Sequence, residues 1–196
     1  MSNFFKVKKK IKSFDKIISV DGDKSLSIRW VLISSLAAGI SEAKNLLMSE
    51  DVLASIKVIK KLGIKVKLNS KLCKIYGKGI GGYKYKKNLT LNAENSGTLG
   101  RLILGLIVNS PNVIKLTGDK SLSKRDFKRV TDPLSKFGTN FRLKNNNGLP
   151  LEIRGKKDLK PIFYKENRGS AQCKSSVIFA GMRANGETII KEKKSR

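Results

Sequence analysis

Gly22-Asp23-Lys24-Ser25-Leu26-Ser27, with Arg29 following, returns as Gly118-Asp119-Lys120-Ser121-Leu122-Ser123, with Arg125 following. A six-residue identity inside one short chain points to internal repetition. The two copies need not occupy equivalent places in a fold, so the surrounding pattern has to decide what repeats.

A second similarity runs at a different offset. Asp51 to Leu62 reads as an amphipathic helix stopped by Gly63 and followed by a strand, Ile64 to Leu68. The same grammar returns 75 residues later: Asp126 opens it, Leu134 and Phe137 supply apolar positions, Gly138 stops it, and Phe141 to Leu143 follows. Asp suits a helix N-terminus and Gly suits the position just past a helix end.

A third series consists of small polar residues that open apolar helices. Ser25 precedes Trp30-Val31-Leu32-Ile33, Ser96-Gly97-Thr98 precedes Leu102-Ile103-Leu104, and Ser170-Ala171-Gln172 precedes Val177-Ile178-Phe179; these starts are 71 and 74 residues apart. Between them lie short alternating segments, Lys74-Ile75-Tyr76, Leu89-Thr90-Leu91, Val113 to Leu116 and Leu151-Glu152-Ile153, which read as strands. Each unit is then strand, helix, strand, helix, strands. This predicts an α/β fold of repeated βαβαββ units packed around a shared axis. The third unit has a helix near 170–183 and a strand at Glu187 to Lys191; its second helix would start near residue 200, so the repeat reads as truncated at Arg196.

Composition narrows the chemistry. Of 196 residues, 42 are Lys or Arg and 15 are Asp or Glu, a formal charge of +27. Nucleic acid is one partner that such a charge suits. However, 33 of the basic residues are Lys, spread along the chain, and there is no C2H2 pattern, aromatic RNP-like strand or basic zipper region. A field of this sign also steers small anions inward. The absence of His removes His-based triads and His–metal sites, and Cys73 and Cys173 read as structural. No run approaches the roughly 20 apolar residues of a membrane span, and the basic N-terminus is followed by no signal-length apolar stretch. The expectation is a soluble, cytoplasmic, reduced protein that needs no cofactor and no metal.

The three Ser-led helix starts are candidate anion sites, because free backbone N–H groups and the helix dipole favour phosphate or carboxylate there. Lys24, Arg29 and Arg125 sit near such starts and suit charge-assisted contacts. A Ser at a helix start is ordinarily only a cap, so it is the joint pattern that points to a site.

These residues resemble the 3-phosphoshikimate 1-carboxyvinyltransferase (EPSP synthase) family. Gly22 to Arg29 is similar to its first substrate motif, and Asn95-Ser96-Gly97-Thr98 with Arg101 to its Asn-(Ser/Ala)-Gly-Thr motif. Leu122-Ser123-Lys124-Arg125 resembles its arginine-bearing segment, Ser170-Ala171-Gln172 with Lys174-Ser175 its Ser-Ala-Gln-x-Lys-Ser motif, and Ser195-Arg196 the start of a further segment. The resemblance implies transfer of the enolpyruvyl group of phosphoenolpyruvate to the 5-hydroxyl of shikimate 3-phosphate, with release of phosphate. It places Lys24, Ser25, Arg29, Ser170, Ala171, Gln172 and Arg196 on shikimate 3-phosphate, and Lys24, Gly97, Arg125 and Gln172 on phosphoenolpyruvate, with Lys24 also catalytic. It further implies sensitivity to glyphosate, for which Gly97 leaves room, and a monomer in the intact enzyme.

The same resemblance assigns residues 21–196 to the repeat domain that carries the shikimate 3-phosphate half-site. Residues 1–20 become a strand segment belonging to a second domain, the domain that supplies the acid–base groups. The chain by itself is therefore expected to turn over little. Asp21, Ile28, Glu94 and Asp126 depart from the family pattern, and Glu94 and Asp126 set negative charge beside the anion site. Two other readings are weighed. UDP-N-acetylglucosamine enolpyruvyl transferase has a Lys-Asn opening and a reactive loop cysteine, neither of which is present here. A basic nucleic-acid-binding protein would show salt-steep affinity for any polyanion.

Overall fold

The computed structural model describes residues 17–70, 72–144, 147–167 and 169–192, together with 6, 8 and 15. In chain order the elements are α1 (Lys24–Leu36), β1 (Ala38–Lys44), α2 (Glu50–Lys61), β2 (Lys65–Leu68), β3 (Leu72–Lys78), β4 (Leu89–Asn92), α3 (Gly97–Ile107), β5 (Ile114–Thr117), α4 (Lys120–Ser123), α5 (Lys128–Ser135), β6 (Asn140–Lys144), β7 (Gly148–Arg154), β8 (Phe163–Glu166), α6 (Ala171–Gly181) and β9 (Ile189–Glu192).

The middle of the chain makes a four-stranded sheet in the order β4-β5-β7-β6. β4 and β5 are parallel, as the α3 crossover between them requires, while β7 runs antiparallel to both β5 and β6. The N-terminal sheet, β1-β3-β2, repeats the antiparallel part of this pattern, and β8 with β9 repeats the parallel part around α6. Residues 17–20, described at the end of the N-terminal segment, are exposed and lie outside the named strands.

The core is apolar and continuous. Ile28, Val31 and Leu32 of α1, Leu102, Ile103 and Leu104 of α3, and Cys173, Val177 and Ala180 of α6 are all fully buried. α3 packs extensively on α6 and α1 on α2. Gly63 and Gly138, expected to stop α2 and α5, have φ of +87° and +98°, a region that favours glycine.

The repeated hexapeptide turns out to be a repeated cap. Asp23 and Asp119 each accept a hydrogen bond from the backbone N–H three residues on, Leu26 at 2.7 Å and Leu122 at 2.6 Å. Beyond the cap the copies diverge. α1 continues for 13 residues, whereas α4 stops after four. Leu122 is fully buried and Leu26 is 69% exposed. Ser25 therefore does not cap α1, as its place in the Ser-led series suggested; it lies in the first turn behind Asp23.

α5 begins later than the sequence suggested. Asp126 lies before it, its Oδ1 accepting from the Lys128 N–H at 2.8 Å. Pro133 sits inside this helix and has no N–H to offer the carbonyl four residues back, that of Arg129. The Cys173 thiol of α6 meets that carbonyl instead, at 3.4 Å.

Candidate anion-binding site

Ser96 caps α3 by accepting from Leu99 N–H, and Ser170 caps α6 by accepting from Cys173 N–H, both at 3.3 Å. A serine oxygen that accepts a backbone N–H still carries its own proton, so capping and anion binding are compatible roles. These two starts are brought together by the packing of α3 on α6.

Gly97 opens α3 and is buried. A β-carbon there would lie 2.9 Å from Nη1 of Arg125 and 3.3 Å from Nη1 of Arg101. The absent side chain thus leaves the first turn of α3 bare between two guanidinium groups. Arg125 reaches this point from the loop after α4 and is held by a 3.3 Å bond from its Nη2 to Asn95 Oδ1.

Arg101 is 8% exposed and lies over the Phe127 ring at 5.6 Å. Its Nη1 donates to Gln172 Oε1 at 2.6 Å, and Gln172 Nε2 donates to Thr98 Oγ1 at 3.0 Å. Burial, reinforced by the charges of Arg129 and Arg125, pushes the Arg101 guanidinium below the usual arginine range. The Asp126 carboxylate opposes this fall more weakly, and the Arg101 and Arg125 guanidinium groups flanking Gly97 suit an anion between them.

Lys24, Ser25 and Arg29 stand on the first turns of α1. Lys24 pairs with Asp51 of α2 at 3.2 Å, and Arg29 Nη1 donates to the Ser25 carbonyl at 3.1 Å. Among the described residues, no hydrogen bond or ion pair joins these three to Gly97, Arg125 or Gln172. Ala171 is exposed on the first turn of α6, and Lys174 of the same helix pairs with Glu192 of β9 at 2.7 Å. Arg196 lies outside the described residues. A cavity of about 380 Å3 opens beside the start of α1, lined in part by Asp21, Gly22, Ser49 and Cys73.

The departing residues are accommodated locally. Ile28 is buried in the core. Glu94 adopts φ of +51° and has Lys57 at 4.0 Å, an exposed pair of small energetic weight. The carboxylate of Asp126 is bonded at the start of α5.

Comparison with known proteins fixes the family. The family model for EPSP synthase (3-phosphoshikimate 1-carboxyvinyltransferase) matches residues 8–196. The chain belongs to the EPSP synthase family. A 3-phosphoshikimate 1-carboxyvinyltransferase of Desulforamulus reducens is 45% identical over 178 residues, covering 89% of this chain and 41% of that protein. One from Streptococcus suis is 40% identical over 189 residues, covering 96% of this chain and 44% of that protein. A solved structure of EPSP synthase from Acinetobacter baumannii superposes with a TM-score of 0.86 at 32% identity, covering 91% of this chain and 40% of that one. The fold is therefore the α/β fold of EPSP synthases. The chain spans under half the length of the relatives it matches, and no helix among the described residues is long and apolar enough to cross a membrane.

Within this EPSP synthase fold, the sequence grouped Arg101 with its motif and gave it no role. The signal was present, since Arg101 is the only charged residue in α3, Gly97 to Ile107.

Proposed function

We propose that this chain carries the shikimate 3-phosphate half-site of a 3-phosphoshikimate 1-carboxyvinyltransferase. The reaction joins the 5-hydroxyl oxygen of shikimate 3-phosphate to the enolpyruvyl carbon of phosphoenolpyruvate, with phosphate as leaving group and the hydroxyl proton released. Residues 21–196 form the domain with this half-site, and residues 1–20 belong to a second domain that supplies the acid–base groups.

The observation that carries the proposal is the bare α3 start at Gly97, flanked by Arg125 and Arg101 and faced by Gln172. Two anionic substrates must be held side by side against their repulsion, and fixed guanidinium groups on rigid helices do this without reorganisation. Gly97, Arg125 and Gln172 take phosphoenolpyruvate. Ser170, Ala171 and Gln172, with Lys24, Ser25 and Arg29 of α1, take shikimate 3-phosphate, and Arg196 joins them. Lys24 contacts both substrates. Its pair with Asp51 is open to solvent on the Lys24 side and cheap to exchange for a phosphate, because solvent-screened pairs contribute about 1 kcal/mol or less.

Calorimetry at physiological salt tests this. The proposal requires saturable binding of shikimate 3-phosphate, weakened roughly tenfold by Arg29→Ala, the loss of one charge-assisted contact. Heat evolved with duplex DNA alone, falling steeply with salt, would favour the nucleic-acid reading that the charge of +27 permits.

A further inference from the structure

Arg101 is difficult to account for as packing. It is 8% exposed, and its buried Nε has no hydrogen-bond partner among the described residues. Among the described residues no carboxylate lies within ion-pair distance of it. A methionine would fill the same space between α3, α6 and Phe127 without the cost of desolvating a charge. What a methionine cannot do is donate to Gln172.

That bond sets an orientation. A guanidinium only donates, so the face of the Gln172 amide turned to Arg101 has to be its oxygen. The nitrogen is then turned to Thr98, whose hydroxyl accepts one of its two protons. The second proton is the donor that this side chain has left for a ligand. Rotating the amide by half a turn would put nitrogen against guanidinium, donor against donor, and offer a carbonyl oxygen in place of the N–H. An anion would be repelled by it.

We propose that Arg101 is a positioning residue that locks the Gln172 amide so that N–H, not C=O, is offered to the anion beside Gly97 and Arg125. The identity of the anion rests on the functional reading above. The lock itself is a property of the unliganded chain and can be tested without it.

Gln172 is the only glutamine in the sequence, so labelling with 15N-glutamine gives one side-chain amide pair. In the parent chain its protons should show a strong cross-relaxation contact with the Thr98 side chain. In Arg101→Met the contact should fall by roughly half, as two amide orientations become similarly populated. Should a melting curve show that variant unfolded, Arg101→Leu, which likewise offers Gln172 no donor, is read by the same criterion.

The functional half follows by calorimetry with shikimate 3-phosphate. Arg101→Met and Gln172→Ala should each weaken binding about tenfold. The double variant should bind no more weakly than either alone, because the two residues act through one contact. No Thr98 contact in the parent, a contact unchanged in the folded variant, or additive losses would each overturn the proposal. A locked amide in a chain with no saturable response to shikimate 3-phosphate would contradict the functional reading and leave the lock standing.

Discussion

Gly105 of α3 lies so close to Ser176 of α6 that a β-carbon at position 105 would sit 2.1 Å from the Ser176 carbonyl oxygen. One turn away Ser176 Oγ donates to the Arg101 carbonyl at 3.0 Å, tying the same two helices. This approach sets the distance across which Arg101 reaches Gln172. Gly105→Ala must push backbone from backbone, and overpacking of this kind costs about 3 kcal/mol. The expected result is a melting midpoint lower by roughly 6–12 °C, with the Arg101–Gln172 contact loosened. An unchanged midpoint would mean that the helices do not approach this closely.

Cys173 supplies the partner that Pro133 denies to the Arg129 carbonyl. Cys173→Ala should therefore destabilise by about 1 kcal/mol, the cost of taking the partner from a part-buried acceptor. Pro133→Ala restores an N–H four residues on, so the double variant should recover part of that loss. Denaturant midpoints of the four proteins decide it. Additive losses would contradict the account.

Tyr83 is pushed up to about 12 by burial, while its hydroxyl shares a 2.7 Å hydrogen bond with Ser35 Oγ. The folded state thus favours the protonated phenol. Below pH 10 both folded and unfolded chains hold the proton, and this residue adds no pH dependence. As pH rises from 10 towards 12 the unfolded chain alone loses it, so stability falls over that window. Tyr83→Phe should be less stable than the parent by about 1 kcal/mol at pH 8, through the lost bond, and the gap should narrow by pH 11. Urea midpoints with a constant gap would rule this out.

Gly97→Ala places its methyl 2.9 Å from the end of the exposed Arg125 side chain, which can move aside. The fold should survive, with a midpoint within about 2 °C of the parent. The cost should fall on the ligand that Arg125 meets. Phosphoenolpyruvate binding to a chain already saturated with shikimate 3-phosphate should weaken about tenfold, while shikimate 3-phosphate itself changes less than about threefold. Parallel loss of both would place Gly97 outside the phosphoenolpyruvate half of the site.

The helix stops at Gly63 and Gly138 were legible because they are local: a left-handed residue after an amphipathic run needs no tertiary information. The strand at Leu89 and the Ser96 and Ser170 caps were legible for the same reason. Asp23 was passed over in favour of Ser25 because both are good caps two positions apart, and only the backbone fixes which accepts the Leu26 N–H. The Pro133 to Cys173 relationship joins residues forty positions apart, and no pattern along the chain expresses it. Arg101 lies between these cases. Its position in an apolar helix was visible, but the partner that explains it arrives 71 residues later on α6.

The most direct test of a shikimate 3-phosphate half-site is a two-dimensional amide NMR titration of this chain with shikimate 3-phosphate, beside a duplex DNA control at physiological salt. A half-site predicts dispersed resonances that shift saturably, with Ser25, Gly97 and Gln172 among those that move. A dispersed spectrum that is silent to shikimate 3-phosphate and responds only to DNA would contradict it.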